Sequence, residues 1–159
     1  MLKLVEAKDE KELNHIRELF TEYSHWIESQ GGSLDFQGFS EELAGLPGKY
    51  KVPEGALMLA YFDGELAACG ALRMFKPGIC KLKRIYTLPR FRRLGISREL
   101  SGALIEKARV SGYDYMWLDT AKEWTGPVAL YQSLGFHEIK PYYDSPNADL
   151  SFFMELELN

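Results

Sequence analysis

The first third of the chain has a helical pattern of apolar residues. Between residues 9 and 29, apolar side chains recur at spacings of three and four, which predicts one amphipathic helix or two consecutive ones. Gly31-Gly32 would end this segment. A shorter helix is predicted over residues 36–46, where Pro47-Gly48 breaks it. The apolar positions of the long helix are Leu13, Ile16, Leu19, Phe20, Tyr23 and Ile27.

From residue 56 onward, the pattern changes to short apolar runs of strand length. Residues 56–62 and 66–75 are predicted strands, and the intervening Asp63-Gly64 is a strong hairpin signal. A third strand is predicted over residues 79–88, after the Pro77-Gly78 turn. Its side chains are expected to alternate between the faces of the sheet, with Leu82, Arg84 and Tyr86 opposite Lys81, Lys83 and Ile85.

Helical and strand patterns alternate after the third strand. Residues 96–110 return to helical spacing, and Ser111-Gly112 ends that helix. Hairpins followed by a β-α-β-α-β order predict a mixed sheet with helices on its faces, and therefore an α/β (α+β) fold. The later elements are a strand over residues 113–119, a helix over 128–134, a strand over 136–139 and a last strand over 150–158.

The composition is typical of one globular domain. The chain has 159 residues, of which 46% are hydrophobic, so residues 1–159 are predicted to form a single domain. No apolar run reaches 18 residues and the N-terminal stretch is too charged for a secretory signal, so we expect no membrane partner and a cytoplasmic location. Cys69 and Cys80 lie in apolar runs and are expected to be reduced thiols. No metal site is expected, because CxxC and HExxH motifs are absent and the three histidines are scattered.

The net charge of −4 hides a strong asymmetry along the chain. Residues 66–98 contain nine basic side chains and no Asp or Glu, whereas the rest of the chain carries 10 basic and 23 acidic side chains. A basic run is often no more than a solvated face. A stretch of 33 residues without any acid nevertheless favours a segment that faces an anion.

The most basic part of this segment is the stretch RFRRLGIS, which lies between a predicted strand and a predicted helix. The first turn of a helix offers unpaired N–H groups and a partial positive charge, Gly95 allows close approach, and Arg92 and Arg93 add fork-shaped donors. GK[ST] and GxGxxG motifs are absent, which argues against a P-loop and a dinucleotide fold. The acidic remainder of the chain disfavours nucleic acid. A small ligand that contains a diphosphate fits best.

Two motifs carry a resemblance to a known family. The segment KRIYTLPRFRRLGISREL resembles the acyl-coenzyme A motif of the GNAT N-acetyltransferase superfamily, with Arg92-x-x-Gly95-x-Ser97 in the motif positions. The downstream LYQSLGF resembles the family's Tyr-x-x-x-Gly-Phe segment, here Tyr131-x-x-x-Gly135-Phe136. The run PYYDSPNADLSFFMEL resembles the last two strands of the family and their connection.

The resemblance implies a fold and a ligand. It implies a mixed sheet of six to seven strands with helices on both faces, in which the central parallel strands 81–88 and 115–119 splay apart. Acetyl-CoA would be the acyl-donor cosubstrate. Its pantetheine arm would pair with the backbone of Ile85, Tyr86 and Thr87. Its pyrophosphate would bind the loop formed by Arg92, Arg93, Leu94, Gly95, Ile96 and Ser97.

The resemblance also implies a reaction. The acyl group would move to a primary amine of a small molecule or peptide by direct attack on the thioester, and Tyr131 would protonate the leaving thiolate. The sequence departs from the family pattern at four positions, which are Ser97 in place of Gly or Ala, Trp124 in place of an Asn, Pro127 in place of an Ala, and Lys81 in place of an acid found in some relatives. The general base therefore stays open among Glu22, Glu28, Glu123, His137 and Asp144.

Other questions also stay open at this point. A non-catalytic acyl-CoA sensor or adaptor would carry the same pyrophosphate motif, and an interaction module with a basic face is a third reading. The sequence leaves a homodimer open. Aromatic and acidic side chains near the expected acceptor site suit a small cationic amine. These side chains are Tyr23, His25, Trp26, Glu28, Trp124, Tyr142, Tyr143 and Asp144.

Overall fold

The computed structural model describes residues 1–34 and 38–159, and in these ranges it contains one seven-stranded sheet. The strand order is β1-β2-β3-β4-β5-β7-β6; β4 and β5 run parallel and the other neighbouring pairs run antiparallel. The strands are β1 (Leu2–Glu6), β2 (Ala56–Phe62), β3 (Glu65–Lys76), β4 (Ile79–Thr87), β5 (Tyr115–Ala121), β6 (His137–Ile139) and β7 (Ser151–Glu157). The helices are α1 (Glu10–Ser29), α2 (Phe39–Ala44), α3 (Ile96–Val110) and α4 (Thr125–Ser133).

Helices cover both faces of the sheet, as predicted. On one face, Ile16 and Phe20 of α1 pack with Leu59 of β2 in a core that also includes Phe39 of α2. On the other face, a separate core contains Leu104 of α3 together with residues of β4, β5 and α4. In the described parts of the chain, no helix is both long enough and apolar enough to cross a bilayer.

Most of the predicted elements are confirmed, with shifts at their ends. The N-terminal pattern forms one helix, which begins at a capping box between Asp9 and Glu12. Helix α4 begins three residues earlier than predicted, because Pro127 lies in its first turn, where no N–H is needed. Helix α2 is shorter than predicted, and residues 36 and 37 of that prediction lie outside the described residues. The run from Pro141 was expected to contain the last two strands. It contains β7, whereas β6 ends before Pro141.

Strict alternation along β4 is wrong, because a β-bulge interrupts the strand. Lys83 pairs with Ala71 and Tyr86 pairs with Cys69, so two residues of β4 stand opposite Gly70 of β3. Arg84 takes the bulge position with φ of 59°. As a result, Arg84 and Tyr86 lie on the face of the sheet that α1 and α2 cover. Leu82 and Ile85 lie on the opposite face and pack in the core that includes α3.

Gly70 makes room for this bulge. A Cβ atom at that position would lie 2.5 Å from Cδ1 of Ile85 and 2.9 Å from Cδ1 of Leu104. Real side chains do not approach this closely, so any larger residue would force the side chains of Ile85 and Leu104 to move. The glycine therefore allows the rotated half of β4 to pack against the helix behind it.

The central parallel strands pair at one end and separate at the other. Ile79, Cys80 and Lys81 of β4 pair with Tyr115, Met116 and Trp117 of β5. Over the described residues, the remaining parts of these strands, 82–87 and 118–121, do not pair with each other. This geometry confirms the predicted splay, and it opens a cleft at the carboxyl ends of both strands.

Candidate functional site

The cleft between the diverging strands has a volume of about 960 Å³. The second half of β4 and the end of β5 form its two walls. The start of α3 lies at one side, and residues of α1 and α4 contribute rings to the lining. A cavity of this size, with backbone edges in its walls, can hold an extended ligand that carries amides.

The loop before α3 has the geometry of an anion site. Arg93 and Gly95 both adopt left-handed conformations, with φ of 66° and 78°. Within the described chain, the N–H groups of residues 93–98 donate no backbone hydrogen bond. They therefore remain available to a ligand at the positive end of the α3 dipole. Gly95 suits this conformation because it has no Cβ.

Side chains tie this loop to the end of β4. Nε of Arg92 donates a hydrogen bond of 3.2 Å to the carbonyl oxygen of Thr87, and the guanidinium lies 5.8 Å from the Trp26 ring. The hydroxyls of Ser97 and Thr87 are 2.8 Å apart. Ser97, which replaces the family's Gly or Ala, thus uses its hydroxyl in a contact within the protein. These contacts fix the loop relative to the strand.

The cleft lining includes most of the predicted coenzyme-binding residues. Ile85, Tyr86 and Thr87 lie on the diverging half of β4, where their backbone has no strand partner on the β5 side in the described chain. The loop residues line the cleft as well, except Leu94, whose side chain is 51% exposed and is not part of the lining. The other lining residues of the loop are Arg92, Arg93, Gly95, Ile96 and Ser97.

Tyr131 of α4 lies in the wall of the cleft. Its side chain is 8% exposed and packs edge-on against Phe136, with ring centroids 5.8 Å apart. Its hydroxyl makes no hydrogen bond with the described residues. Burial, with a smaller contribution from Tyr23, raises the pKa of Tyr131 well above its usual range. The group is therefore a protonated donor at neutral pH.

Some of the predicted base and acceptor residues line the cleft and others do not. Among the five base candidates, Glu123 lines the cleft, whereas the lining in the described chain does not include Glu22, Glu28, His137 or Asp144. Among the acceptor candidates, the lining includes Tyr23, Trp26 and Trp124 but not His25, Glu28, Tyr142, Tyr143 or Asp144. The rings of Trp26 and Trp124 lie 4.8 Å apart, so they connect α1 to the start of α4 across the cleft.

The sequence reasoning missed Asp119, a half-buried carboxylate in the wall formed by β5. It accepts hydrogen bonds from Nζ of Lys81 at 3.1 Å, from the Tyr142 hydroxyl at 3.0 Å and from the Tyr143 hydroxyl at 2.9 Å. Burial acts to raise the pKa of Asp119, but Lys81 and the two tyrosines outweigh burial and hold that pKa below its usual value. In sequence, Asp119 is only the last residue of a predicted strand, and no local signal identifies its partners.

Two further charged groups on β4 were also not predicted. Arg84 makes a two-pronged ion pair with Glu42 of α2, in which both N–O distances are 3.0 Å. Lys83, the next residue along the strand, lines the cleft. Burial and the neighbouring cations Arg84 and Lys81 lower the pKa of Lys83 to about 7. The bulge brings these charges together, which explains why periodicity alone did not reveal them.

Comparisons with known proteins agree with this geometry. Residues 13–136 match the model of the acetyltransferase (GNAT) family. An uncharacterized N-acetyltransferase of Dictyostelium discoideum is 30% identical to the chain, over 99% of each protein. A second uncharacterized N-acetyltransferase, from Schizosaccharomyces pombe, is 33% identical over 94% of this chain and 90% of the relative.

A solved structure shows the same fold at lower sequence identity. The crystal structure of the PaiA N-acetyltransferase from Thermoplasma acidophilum, in complex with coenzyme A, superimposes with a TM-score of 0.76. The alignment covers 99% of each chain at 16% identity.

Proposed function

Since this chain belongs to the GNAT acetyltransferase family, we propose that it is an N-acetyltransferase that uses acetyl-CoA to acetylate a primary amine of a small molecule or peptide. The observation that carries the proposal is the cleft between β4 and β5, which ends at the left-handed loop before α3. This cleft offers backbone donors for an extended arm and for an anion in one continuous cavity. Residues 1–159 would act as one domain.

The donor proposal rests on the match between the cleft and the chemistry of coenzyme A. The N–H groups of residues 93–98 and the arginines beside them suit a pyrophosphate. The unpaired edge of Ile85, Tyr86 and Thr87 suits the two amides of a pantetheine arm. The Thermoplasma acidophilum structure has coenzyme A bound, which supports this choice of ligand.

The reaction would be a direct acyl transfer. The neutral amine attacks the thioester carbonyl, and an N–H group near Ile85 or Tyr86 polarises the carbonyl oxygen. The C–S bond then breaks while a C–N bond forms, and the amine nitrogen passes a proton to solvent, which later returns one to the Tyr131 phenolate. Tyr131 lines the cleft and stays protonated at neutral pH because burial raises its pKa, so it can donate its proton to the departing sulfur. The products are an N-acetylated amine and free coenzyme A.

The experiment that tests this proposal measures binding and turnover separately. Calorimetry with acetyl-CoA reports the donor site, and a coenzyme A release assay over amines, amino acids and peptides reports the reaction. We expect binding in the first experiment and amine-dependent release in the second. Binding without release for any amine would favour a sensor or adaptor. Absence of binding would refute the proposed donor site.

A further inference from the structure

Helix α1 brings a tyrosine hydroxyl to the cleft. Side chains that recur at spacings of three and four put one face of the end of α1 into the lining; they are Tyr23, Trp26, Ile27 and Gln30. The Tyr23 ring is half-buried, and its centroid lies 5.5 Å from that of Tyr86 on the diverging half of β4. This face of α1 therefore forms the part of the cleft wall that packs on β4.

Tyr23 and Tyr131 approach the gap between β4 and β5 from opposite faces of the sheet. Tyr23 packs against the core that contains α1 and α2, whereas Tyr131 belongs to the core that contains α3. Both side chains line the cleft, and they are close enough to interact electrostatically, since Tyr23 contributes to the raised pKa of Tyr131. In the proposed reaction the leaving sulfur lies beside Tyr131. Tyr23 then stands on the other face of the sheet, where an amine can approach the thioester.

The Tyr23 hydroxyl is open to a ligand. It makes no hydrogen bond with the described residues, and its oxygen is not fully enclosed in the described structure. Burial raises the pKa of Tyr23 to about 12 against the opposing effect of Arg84, so the hydroxyl is neutral at pH 7. A neutral phenol oxygen keeps lone pairs that accept hydrogen bonds. The cleft thus contains an unused acceptor on the α1 side of the gap.

The amine that enters the cleft needs such an acceptor. An alkyl amine has a reference pKa of about 10.4, so at neutral pH it arrives mainly as an ammonium group, which has donors only. On the β5 wall, Asp119 already accepts three hydrogen bonds. Glu123 also lines the cleft, but it is exposed to solvent. The Tyr23 oxygen accepts no hydrogen bond from the described residues, so a nitrogen can reach it without displacing a protein contact.

From this arrangement, and resting on the proposed function, we infer that Tyr23 is an acceptor-binding residue whose hydroxyl oxygen accepts a hydrogen bond from the nitrogen of the attacking amine. After the ammonium group has lost one proton to solvent, a remaining N–H group stays on Tyr23 and the lone pair is free to attack the thioester carbonyl. As the C–N bond forms, the nitrogen becomes more positive and its hydrogen bond to Tyr23 strengthens. Tyr23 keeps its own proton throughout.

The first test measures turnover in Tyr23→Phe, which removes the oxygen and keeps the ring beside Tyr86. The probes in the coenzyme A release assay are hydroxylamine, L-amino acids, L-amino acid amides and tripeptides. For every active probe, kcat/KM should fall by about three- to tenfold, the size of one neutral hydrogen bond, because the contact is with the nitrogen that all probes share. The Kd for acetyl-CoA, measured by calorimetry, should stay at the parental value.

A binding comparison isolates the contact with the nitrogen. Enzyme saturated with coenzyme A, which has no acyl group to transfer, is titrated with an active amino acid, amide or tripeptide. A second titration uses the analogue in which hydrogen replaces the amino group. Tyr23→Phe should weaken binding of the amine by about three- to tenfold and leave binding of the analogue unchanged. A displacement of α1 would weaken both alike.

Tyr61 provides a matched control. Like Tyr23, it is partly buried against the core that contains α1. Its hydroxyl lies 2.9 Å from Nδ1 of His15, and the lining in the described chain does not include it. Tyr61→Phe should therefore leave kcat/KM and both affinities at the parental values.

Each outcome decides the inference. Parental kinetics in a folded Tyr23→Phe variant, or equal weakening of the amine and of its analogue, would overturn amine binding by Tyr23 while the acetyltransferase proposal stands. A loss of kcat of about 100-fold or more with unchanged amine affinity would give Tyr23 a role in proton transfer and would also overturn it. No turnover of any probe, with acetyl-CoA still bound, would overturn the proposed function together with this inference.

Discussion

Replacing Tyr131 by phenylalanine should separate catalysis from folding and from coenzyme binding. The substitution removes one oxygen atom and keeps the ring, which packs against Phe136. The hydroxyl makes no hydrogen bond with the described residues, so its loss leaves no buried partner unsatisfied. We therefore expect a change of at most about 1 kcal/mol in the free energy of unfolding, the scale of an ordinary hydrogen bond.

The expected effect on turnover is much larger. If the hydroxyl protonates the thiolate as the C–S bond breaks, its interaction exists mainly in the transition state. Its loss should then lower kcat by roughly 10²–10⁴-fold, the usual contribution of general acid catalysis, with little change in the Kd for acetyl-CoA. Because burial raises the pKa of Tyr131, the parent should keep this proton throughout the neutral range.

The assay needs a matched tyrosine as a control. Tyr113 is also buried, but its hydroxyl donates to the carbonyl oxygen of Glu54, and its ring lies outside the cleft lining of the described chain. Tyr113→Phe should therefore lower stability and leave kcat near the parental value, the opposite pattern. A folded Tyr131→Phe variant with near-parental kcat, under conditions in which chemistry limits the rate, would refute an acid role for Tyr131.

The remaining predictions concern the loop and the two partly buried ion pairs. Gly95→Val forces a β-branched residue into φ of 78° and should weaken acetyl-CoA binding in calorimetry; parental affinity would place the pyrophosphate elsewhere. Glu42→Gln removes the two-pronged ion pair of the buried Arg84 and should cost about 3–5 kcal/mol in urea unfolding, whereas the exposed Glu41→Gln should cost little. The folded-state pKa of Asp119 is lowered, so its stabilisation is present at neutral pH and is lost as pH falls. Asp119→Asn should therefore be less stable than the parent at pH 7, and the gap should close below about pH 4; a constant gap would contradict this reasoning.

Local sequence was enough to predict β4, the loop after it and α3, which together form one part of the cleft wall. The limits of α3 match the predicted helix over residues 96–110, and β4 ends one residue before the predicted limit. The loop between them could be interpreted from the sequence because the residues that define it are close together in the chain. Arginines, a glycine and a helix start lie within eight residues, so the charge, the permissive backbone position and the free N–H groups are all visible in one short stretch. The divergence of β4 and β5 was predicted from the family resemblance and not from the periodicity of the sequence.

The ion pairs of β4 depend on contacts that sequence does not display. Arg84 and Glu42 are 42 residues apart, and Asp119 and Lys81 are 38 residues apart. These pairs form because the sheet brings distant segments together. The bulge at Arg84 was missed because a period-2 pattern assumes an uninterrupted ladder. Strand β1 was missed because it is a short edge strand at the start of the chain, where helix α1 provides the stronger pattern.

The divergence of β4 and β5 leaves two strand edges inside the molecule. On the surface of an open sheet, such edges would invite pairing with strands of other molecules and hence aggregation. Here Tyr23 and Trp26 of α1 and Tyr131 of α4 line the space between them. These rings occupy space that the side chains of a foreign β-strand would need, whereas a narrower ligand needs less of it. The fold can thus keep unpaired backbone for a ligand without the intermolecular hazard that exposed edges carry.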